Sequence, residues 1–186
     1  MKDIYEITII GRGGQGAKTA SEVLARTALK LGKYIQAFSE YGAERAGAPI
    51  LSYIRISDKP ITIHTSITEP DLIVVMDDSL LGMAVPTEKS TIMVNTVASA
   101  DEVSEELDFK QGKVCTVDCT GISVEILGRN IPNTPTLGAM VKVIGFLPKE
   151  SVIEELRHKL EQKIGKEAMD RNVECFNRAY DEVKGN

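Results

Sequence analysis

The chain has 186 residues, of which 42% are hydrophobic and 26% are charged. This length favours one domain, and the composition is typical of a folded globular protein and argues against disorder. The net charge of −5 disfavours non-specific binding to nucleic acid, and no apolar run approaches the ~20 residues of a membrane helix. We therefore expect one domain over 1–186 with no nucleic-acid and no membrane partner. The N-terminus enters a strand-like pattern directly, so we expect a cytoplasmic protein.

The first third predicts two strands around a glycine-rich segment and a helix. Residues 5–10 form a strand-like run, and apolar residues recur at helical spacing over 17–31. Residues 34–38 predict a second strand. An antiparallel hairpin is predicted from 50–56 and 61–64, which flank the turn-forming sequence Ser-Asp-Lys-Pro.

The remainder predicts a parallel sheet followed by helices. Continuous apolar runs predict buried strands at 72–76, 91–95 and 114–117, whereas the acidic stretch 99–112 is ambiguous. Helices are predicted at 121–128 and 137–144 and, on apolar stripes, in two longer segments that Gly165 separates. The order of elements predicts an α/β protein: a three-layer, Rossmann-like, mostly parallel sheet with an antiparallel hairpin and a C-terminal helical segment.

The three cysteines are interpreted as reduced, buried thiols. Cys115 and Cys119 fall in one predicted strand over 113–119, where their Cα atoms would lie about 13 Å apart. That separation is too long for a disulfide or a shared metal. The tight cysteine clusters that hold iron–sulfur centres are missing from the sequence.

Gly11, Gly13 and Gly16 match the pattern G-x-G-x-x-G between a predicted strand and a predicted helix. In this pattern the glycines allow a tight turn, close approach of a pyrophosphate and close packing of the helix. The helix N-terminus offers N–H donors to an anion, and Arg12 adds a positive charge. The competing interpretation is a tight turn that binds nothing.

The residues after the second predicted strand disfavour a nicotinamide-binding fold. Glu40 stands near the position of a ribose-binding carboxylate, but a glycine-rich loop follows it, so we interpret Glu40 as a loop carboxylate. Glu44 and Arg45 are either a solvated ion pair or a loop in which Arg45 points at a phosphate. We interpret His64 as a structural residue at a strand end and His158 as a surface residue.

Three segments in order resemble one known family. They are 11–16 (GRGGQG), 41–49 (YGAERAGAP) and 131–139 (IPNTPTLGA), and together they are similar to the gamma subunit of pyruvate:ferredoxin oxidoreductase and of related 2-oxoacid:ferredoxin oxidoreductases. The resemblance covers nearly the whole chain. One departure is Ala46, where the family often has a second arginine, so a double-arginine clamp is not expected here.

The resemblance implies a non-catalytic subunit of an enzyme that decarboxylates pyruvate oxidatively to acetyl-CoA and reduces ferredoxin. It implies alpha, beta and delta subunits as partners, which carry thiamine diphosphate, Mg and [4Fe-4S] clusters, with coenzyme A as a substrate. The residues expected to bind coenzyme A are in the glycine loop and the segment after the second strand: Gly11, Arg12, Gly13, Gly14, Gln15, Gly16 and Arg45.

Three alternatives stay open at this point. The chain is a purely structural subunit, or a gamma subunit specific for a branched-chain 2-oxoacid or 2-oxoglutarate, or a freestanding nucleotide-binding oxidoreductase. The last is disfavoured by the interrupted βα order and by the lack of a recognisable acid–base pair.

Overall fold

The computed structural model describes residues 3–41 and 47–185, which form one mixed sheet with helices. The strands are β1 Ile4–Arg12, β2 Tyr34–Tyr41, β3 Pro49–Ser57, β4 Leu72–Val75, β5 Thr91–Asn95, β6 Lys113–Val117 and β7 Lys184–Gly185. The α-helices are α1 Ala17–Lys30, α2 Ala100–Glu106, α3 Cys119–Leu127, α4 Asn133–Ile144, α5 Lys149–Ile164 and α6 Lys166–Glu182. A 3₁₀ helix spans Asp78–Met83.

The seven strands lie in the order β2-β3-β1-β4-β5-β6-β7. The central strands β1, β4, β5 and β6 are parallel to one another, while β3 runs antiparallel to both β1 and β2. After β1 the chain therefore runs through α1 to β2 at one edge of the sheet and returns through β3 between β2 and β1. It then crosses to β4 on the opposite side of β1. The prediction of an α/β sheet with a parallel centre and an antiparallel hairpin is confirmed, with β2 and β3 as the antiparallel pair.

One face of the sheet carries the helices α1, α3, α4, α5 and α6 and the larger core cluster. Within this layer α4 and α6 are in very close contact, because a Cβ atom on Gly138 would lie 2.1 Å from the carbonyl oxygen of Phe176. Thr134 at the start of α4 also donates a hydrogen bond of 2.9 Å to Asn172 of α6. These contacts fix the direction in which the N-terminus of α4 points.

The second face is covered unevenly. The 3₁₀ helix and α2 pack over β4, β5 and β6, and their apolar side chains form a smaller core cluster. Over β1, β2 and β3 runs the irregular segment 58–71, under which Arg55 is 1% exposed. The Arg55 guanidinium donates to Glu6 at 2.9 Å and to Gln36 at 2.7 Å, so the buried charge has two acceptors.

Several predicted elements need correction. The second arm of the predicted hairpin is wrong, because 61–64 is not a strand, and β3 pairs with β1 and β2 over its whole length instead. Cys119 lies at the start of α3, not in the preceding strand, because Asp118 caps that helix by accepting from the N–H of Gly121 at 2.6 Å. The ambiguous stretch forms α2 behind a capping box between Ser99 and Glu102.

All three cysteines are free and buried, as predicted. None of the helices in the described residues is both long and apolar enough to cross a bilayer.

Candidate functional site

The glycine loop lies at the carboxyl edge of the parallel strands, beside the point where the strand order reverses. β1 and β4 are neighbours, but the chain passes through α1, β2 and β3 between them. In open α/β sheets a crevice forms at such a reversal, and ligands bind there. The fold therefore places the sequence-predicted loop at the position where a ligand site is expected.

The glycines of the loop have different structural roles. Gly11 is still part of β1, and a Cβ atom there would lie 3.4 Å from the sulfur of Met76. Gly14 and Gly16 have φ angles of 93° and 85°, the left-handed region that favours glycine. Gly13 is exposed and is outside that region, and among the described residues a Cβ on it would have no neighbour closer than 3.9 Å. Gly13 is thus the glycine of this motif at which the described residues leave most space for a side chain without a positive φ.

Two helix N-termini meet at this loop. α1 begins after Gly16 and α4 begins at Asn133, and a Cβ atom on Gly16 would lie 2.6 Å from the Cβ of Asn133. Neither helix has an acidic residue in its first turn or a side-chain cap from its N-cap residue. The partial positive charges of the two helix ends therefore add at one place, and neither helix places a carboxylate of its own first turn against them.

Lys18 adds a charge at the same place. It lies exposed in the first turn of α1, directly after the loop. The first and third resembling segments, which are far apart in sequence, thus come together as one positively polarised surface around Gly16.

The Arg12 side chain forms hydrogen bonds within the protein. Its guanidinium donates to Asp77 at 3.0 Å, to the carbonyl oxygen of Gly47 at 3.0 Å and to Ser79 at 2.7 Å. Gln15 donates to the same Asp77 oxygen at 3.0 Å, and its own side-chain oxygen accepts from the Arg12 N–H at 2.7 Å. Arg12 and Gln15 therefore hold the loop to the end of β4. The backbone N–H groups of Gly13 and Gln15 donate to the carbonyl oxygens of Ala48 and Arg12, so the candidate donors for an anion are the N–H groups at the start of α1.

The ionisation of Asp77 supports this arrangement. Burial alone would raise its pKa, but hydrogen bonds from Ser79 and Gln15 and the charge of Arg12 outweigh that effect and lower the pKa below its ordinary value. The carboxylate is charged at neutral pH and stabilises the clasp formed by Arg12 and Gln15.

A polar crevice of about 320 Å³ extends from the loop along the ends of β4, β5 and β6. Its lining residues are mostly aspartates, amides and hydroxyls, namely Gln15, Asp77, Asp78, Asn95, Thr96, Asp118, Thr120 and Asn130, with Met76 and Val97. The side chain of Asn95 joins the strand ends, since it donates to the carbonyl oxygen of Met76 at 2.8 Å and to Thr120 at 2.9 Å. The aspartates disfavour an anion inside the crevice, so a phosphate would bind at the helix ends and a neutral, hydrogen-bonding part of a ligand would extend into the crevice.

Glu40 is a strand residue and not a loop residue as predicted. It lies in β2, and its carboxylate accepts from the hydroxyls of Tyr53 at 3.2 Å and Ser66 at 2.7 Å. Because β3 separates β2 from β1, Glu40 is two strands, or about 10 Å, from the line of β1. A carboxylate in this position is not the ribose ligand of a nicotinamide-binding fold, in which the second strand adjoins the first.

Four other residues were singled out in the sequence. Glu44 and Arg45 lie outside the described residues. His64 is exposed in the irregular segment 58–71, where its Nδ1 lies 3.4 Å from the Gln36 amide, so its predicted position at a strand end is wrong. His158 is exposed on α5, as predicted.

Sequence reasoning missed Asn133, Lys18 and Asp77 as parts of the site. Asn133 stood within a segment that the resemblance had singled out, but its contact with Gly16 depends on the packing of α4 against α1. Lys18 follows the glycine pattern directly and could have been found by its place in the first helical turn.

Comparisons with known proteins agree on one family. The family model for pyruvate ferredoxin/flavodoxin oxidoreductase matches residues 6–182. The chain is 46% identical over 179 residues to the common gamma subunit of the pyruvate/ketoisovalerate oxidoreductases of Thermococcus kodakarensis, covering 94% of this chain and 97% of that protein.

Solved structures give the same result for the fold. The pyruvate oxidoreductase subunit PORC of Thermotoga maritima superposes with a TM-score of 0.87 at 40% identity, covering 100% of this chain and 99% of that one. The 2-oxoglutarate:ferredoxin oxidoreductase of Magnetococcus marinus, solved with 2-oxoglutarate, coenzyme A and succinyl-CoA bound, superposes with a TM-score of 0.79 at 17% identity. That match covers 96% of this chain but 31% of the longer Magnetococcus chain.

Proposed function

Because the chain belongs to the pyruvate ferredoxin/flavodoxin oxidoreductase family as a gamma subunit of a multi-subunit enzyme, we propose that its glycine loop binds the phosphates of coenzyme A. The observation that carries the proposal is the meeting of the N-termini of α1 and α4 at Gly16. Two helix ends without acidic first-turn residues attract a polyanion, and backbone N–H groups can donate to phosphate oxygens.

Coenzyme A matches the two parts of this surface. Its phosphates suit the exposed surface over Gly13 and Gly14 and the N–H groups at the start of α1, where Lys18 adds a charge. Its neutral amide and hydroxyl groups suit the crevice, whose lining of amides, hydroxyls and aspartates supplies donors and acceptors. The sequence adds Arg45, which lies outside the described residues, as a second cation for the phosphates.

The redox and decarboxylation chemistry is assigned to other subunits. We place thiamine diphosphate, Mg and the [4Fe-4S] clusters on alpha, beta and delta chains, with ferredoxin as the electron acceptor. The cysteines of this chain support that division, because cluster ligation requires thiolates. Burial raises the pKa of Cys119 to about 12 and of Cys175 to about 11, and it also raises the pKa of Cys115. What this chain contributes is a rigid loop that positions a phosphorylated substrate.

The test replaces Gly13 by valine in the assembled enzyme. A side chain at this position has space among the described residues but would occupy the surface where the phosphates approach. If charge-assisted hydrogen bonds to phosphate are lost, the Michaelis constant for coenzyme A should rise roughly 10- to 100-fold. The half-reaction that releases carbon dioxide from pyruvate should keep its rate, because the proposal gives the loop no part in it.

Gly82→Val is the matched control. A Cβ on Gly82, in the 3₁₀ helix, would meet nothing within 4 Å in the ranges 3–41 and 47–185, so the same substitution is made there at a comparable structural cost. Equal constants for coenzyme A in wild type, Gly13→Val and Gly82→Val, all folded and assembled, would reject the proposal and leave a scaffolding role for this subunit.

A further inference from the structure

A second cavity lies on the helical face, where the ends of α3, α5 and α6 meet the segment before α4. It encloses about 520 Å³, and its apolar lining is formed by Leu127, Ile131, Leu160 and Ile164. Ile131 is 37% exposed and Ile164 is 40% exposed, so the apolar surface continues from the cavity onto the rim. Apolar surface that lines a groove and continues around it is typical of an interaction site.

The rim of this groove is positively charged, although the whole chain carries a net charge of −5. Arg129 and Arg171 line the groove. Arg129 is exposed and has no carboxylate partner in the part of the chain that the structure describes. Arg171 pairs with Glu167, but the two side chains are 51% and 88% exposed, and such pairs are weak.

Two lysines extend the same charge. Lys163 and Lys166 flank the turn at Gly165 between α5 and α6, and both are exposed. An apolar groove between Arg129 and the weakly paired Arg171 is complementary to an apolar side chain that acidic residues flank.

We propose that this groove is the docking site for an acidic, amphipathic segment of another subunit of the same enzyme. An aliphatic or aromatic side chain of that segment fills the cavity, and carboxylates on either side of it meet Arg129 and Arg171. The proposal depends on the chain being a gamma subunit and does not require coenzyme A to bind at the loop, although Asn133 both lines this groove and lies against Gly16.

A protein segment fits better than a small anion for a structural reason. The exposed parts of Ile131 and Ile164 lie on the rim, and a ligand confined to the cavity would leave them in water. A polypeptide that crosses the groove covers the cavity and the rim together. In the Magnetococcus enzyme a domain of the same fold makes up about a third of a longer chain, so in that protein the fold has covalently attached neighbours.

The first experiment identifies the occupant in the assembled complex. Ile164→Cys provides a reactive thiol on the rim, while the native cysteines are buried. After labelling with benzophenone maleimide and assembly with the cognate subunits, irradiation should cross-link the chain to a partner segment with an apolar residue between Asp or Glu residues. A cross-link to a segment without acidic residues, or no cross-link to any partner, overturns the proposal.

The second experiment measures the charge requirement. Arg129→Glu combined with Arg171→Glu should raise the dissociation constant of the chain for the remaining subunits roughly 10- to 100-fold. The new glutamates would face the acidic residues of the partner segment and repel them. The matched control is Lys89→Glu with Lys110→Glu, which changes the net charge equally on exposed residues that do not line this groove.

Each variant is first checked by thermal unfolding of the isolated chain. Equal weakening by both pairs of substitutions overturns the proposal, because the effect would then follow the net charge. Unchanged assembly of the Arg129/Arg171 variant, with loss of a co-purifying small anion in native mass spectrometry, also overturns it and assigns the groove to that anion.

Discussion

The contact between the glycine loop and α4 predicts a specific cost for adding one methyl group at Gly16. Gly16→Ala meets two penalties, because φ at this position is 85° and the new Cβ would lie 2.6 Å from the Cβ of Asn133. Gly14→Ala meets only the first, because φ is 93° but nothing lies within 4 Å of the added atom. The two substitutions therefore separate backbone strain from steric overlap.

The magnitudes follow from these two terms. A left-handed conformation costs a non-glycine residue about 1–2 kcal/mol, which is the expected loss for Gly14→Ala. Overpacking adds about 1–3 kcal/mol, so the free energy of unfolding should fall by about 2–5 kcal/mol for Gly16→Ala. For a chain of this length, a loss of about 3 kcal/mol lowers Tm by about 6–12 °C.

The assay is urea unfolding of wild type, both single variants, Asn133→Gly and the double variant Gly16→Ala/Asn133→Gly. Asn133→Gly removes the atom that overlaps, so the penalty of Gly16→Ala should shrink by about 1–3 kcal/mol in that background. Equal losses for Gly14→Ala and Gly16→Ala, or an unchanged penalty when Asn133 is glycine, would refute the contact between the two segments.

Three further outcomes are expected. Gly138→Ala should lower the free energy of unfolding by at least about 2–3 kcal/mol, because the added Cβ would overlap the Phe176 carbonyl oxygen and separate α4 from α6. The control Gly82→Ala should change that free energy by less than about 1 kcal/mol, and denaturant titration of both variants measures the difference. Asp77→Asn should lower the free energy of unfolding by roughly 1 kcal/mol at pH values above 3.8, the ordinary pKa of an aspartate. This loss should disappear as the pH falls below 3.8 and through the lowered pKa of the folded state, which unfolding curves of both proteins at pH 7 and at pH 2–3 measure. The three thiols should not react with Ellman's reagent at pH 8 in the folded chain and should all react in denaturant. The reason is that burial raises the pKa of Cys119 to about 12, of Cys175 to about 11 and of Cys115 above its ordinary value. Rapid reaction of any thiol in the folded chain would contradict that burial.

Local sequence was sufficient for most elements because their signals are local. The apolar runs at 72–76 and 91–95 predict buried strands, and the structure has β4 and β5 there. The failure at 61–64 has a different origin. A hairpin at this place would require β3 to pair with 61–64, but both edges of β3 are already hydrogen-bonded, one to β1 and the other to β2. The turn-forming sequence at 57–60 is local and carries no information about these distant strands.

The candidate site was predictable in part for the same reason. The glycine pattern identifies the loop and the start of α1 directly. Asn133 lies against Gly16 only because the fold brings together segments more than 100 residues apart in sequence. The clasp formed by Arg12 and Gln15 likewise depends on Asp77, which follows another strand. The charge of Arg12 likewise could not reveal that its guanidinium donates to Asp77, Gly47 and Ser79, and its predicted contact with a phosphate stays a prediction.

The central claim is that coenzyme A phosphates bind over the glycine loop and accept hydrogen bonds from the N–H groups at the start of α1. Hydrogen–deuterium exchange of the assembled enzyme, with and without saturating coenzyme A, measures those groups directly, with pantetheine as the control because it lacks phosphates. We predict slower exchange in peptides that cover 11–19 on adding coenzyme A and no such change on adding pantetheine. Unchanged exchange over 11–19 under conditions in which coenzyme A is bound and turned over would contradict the account.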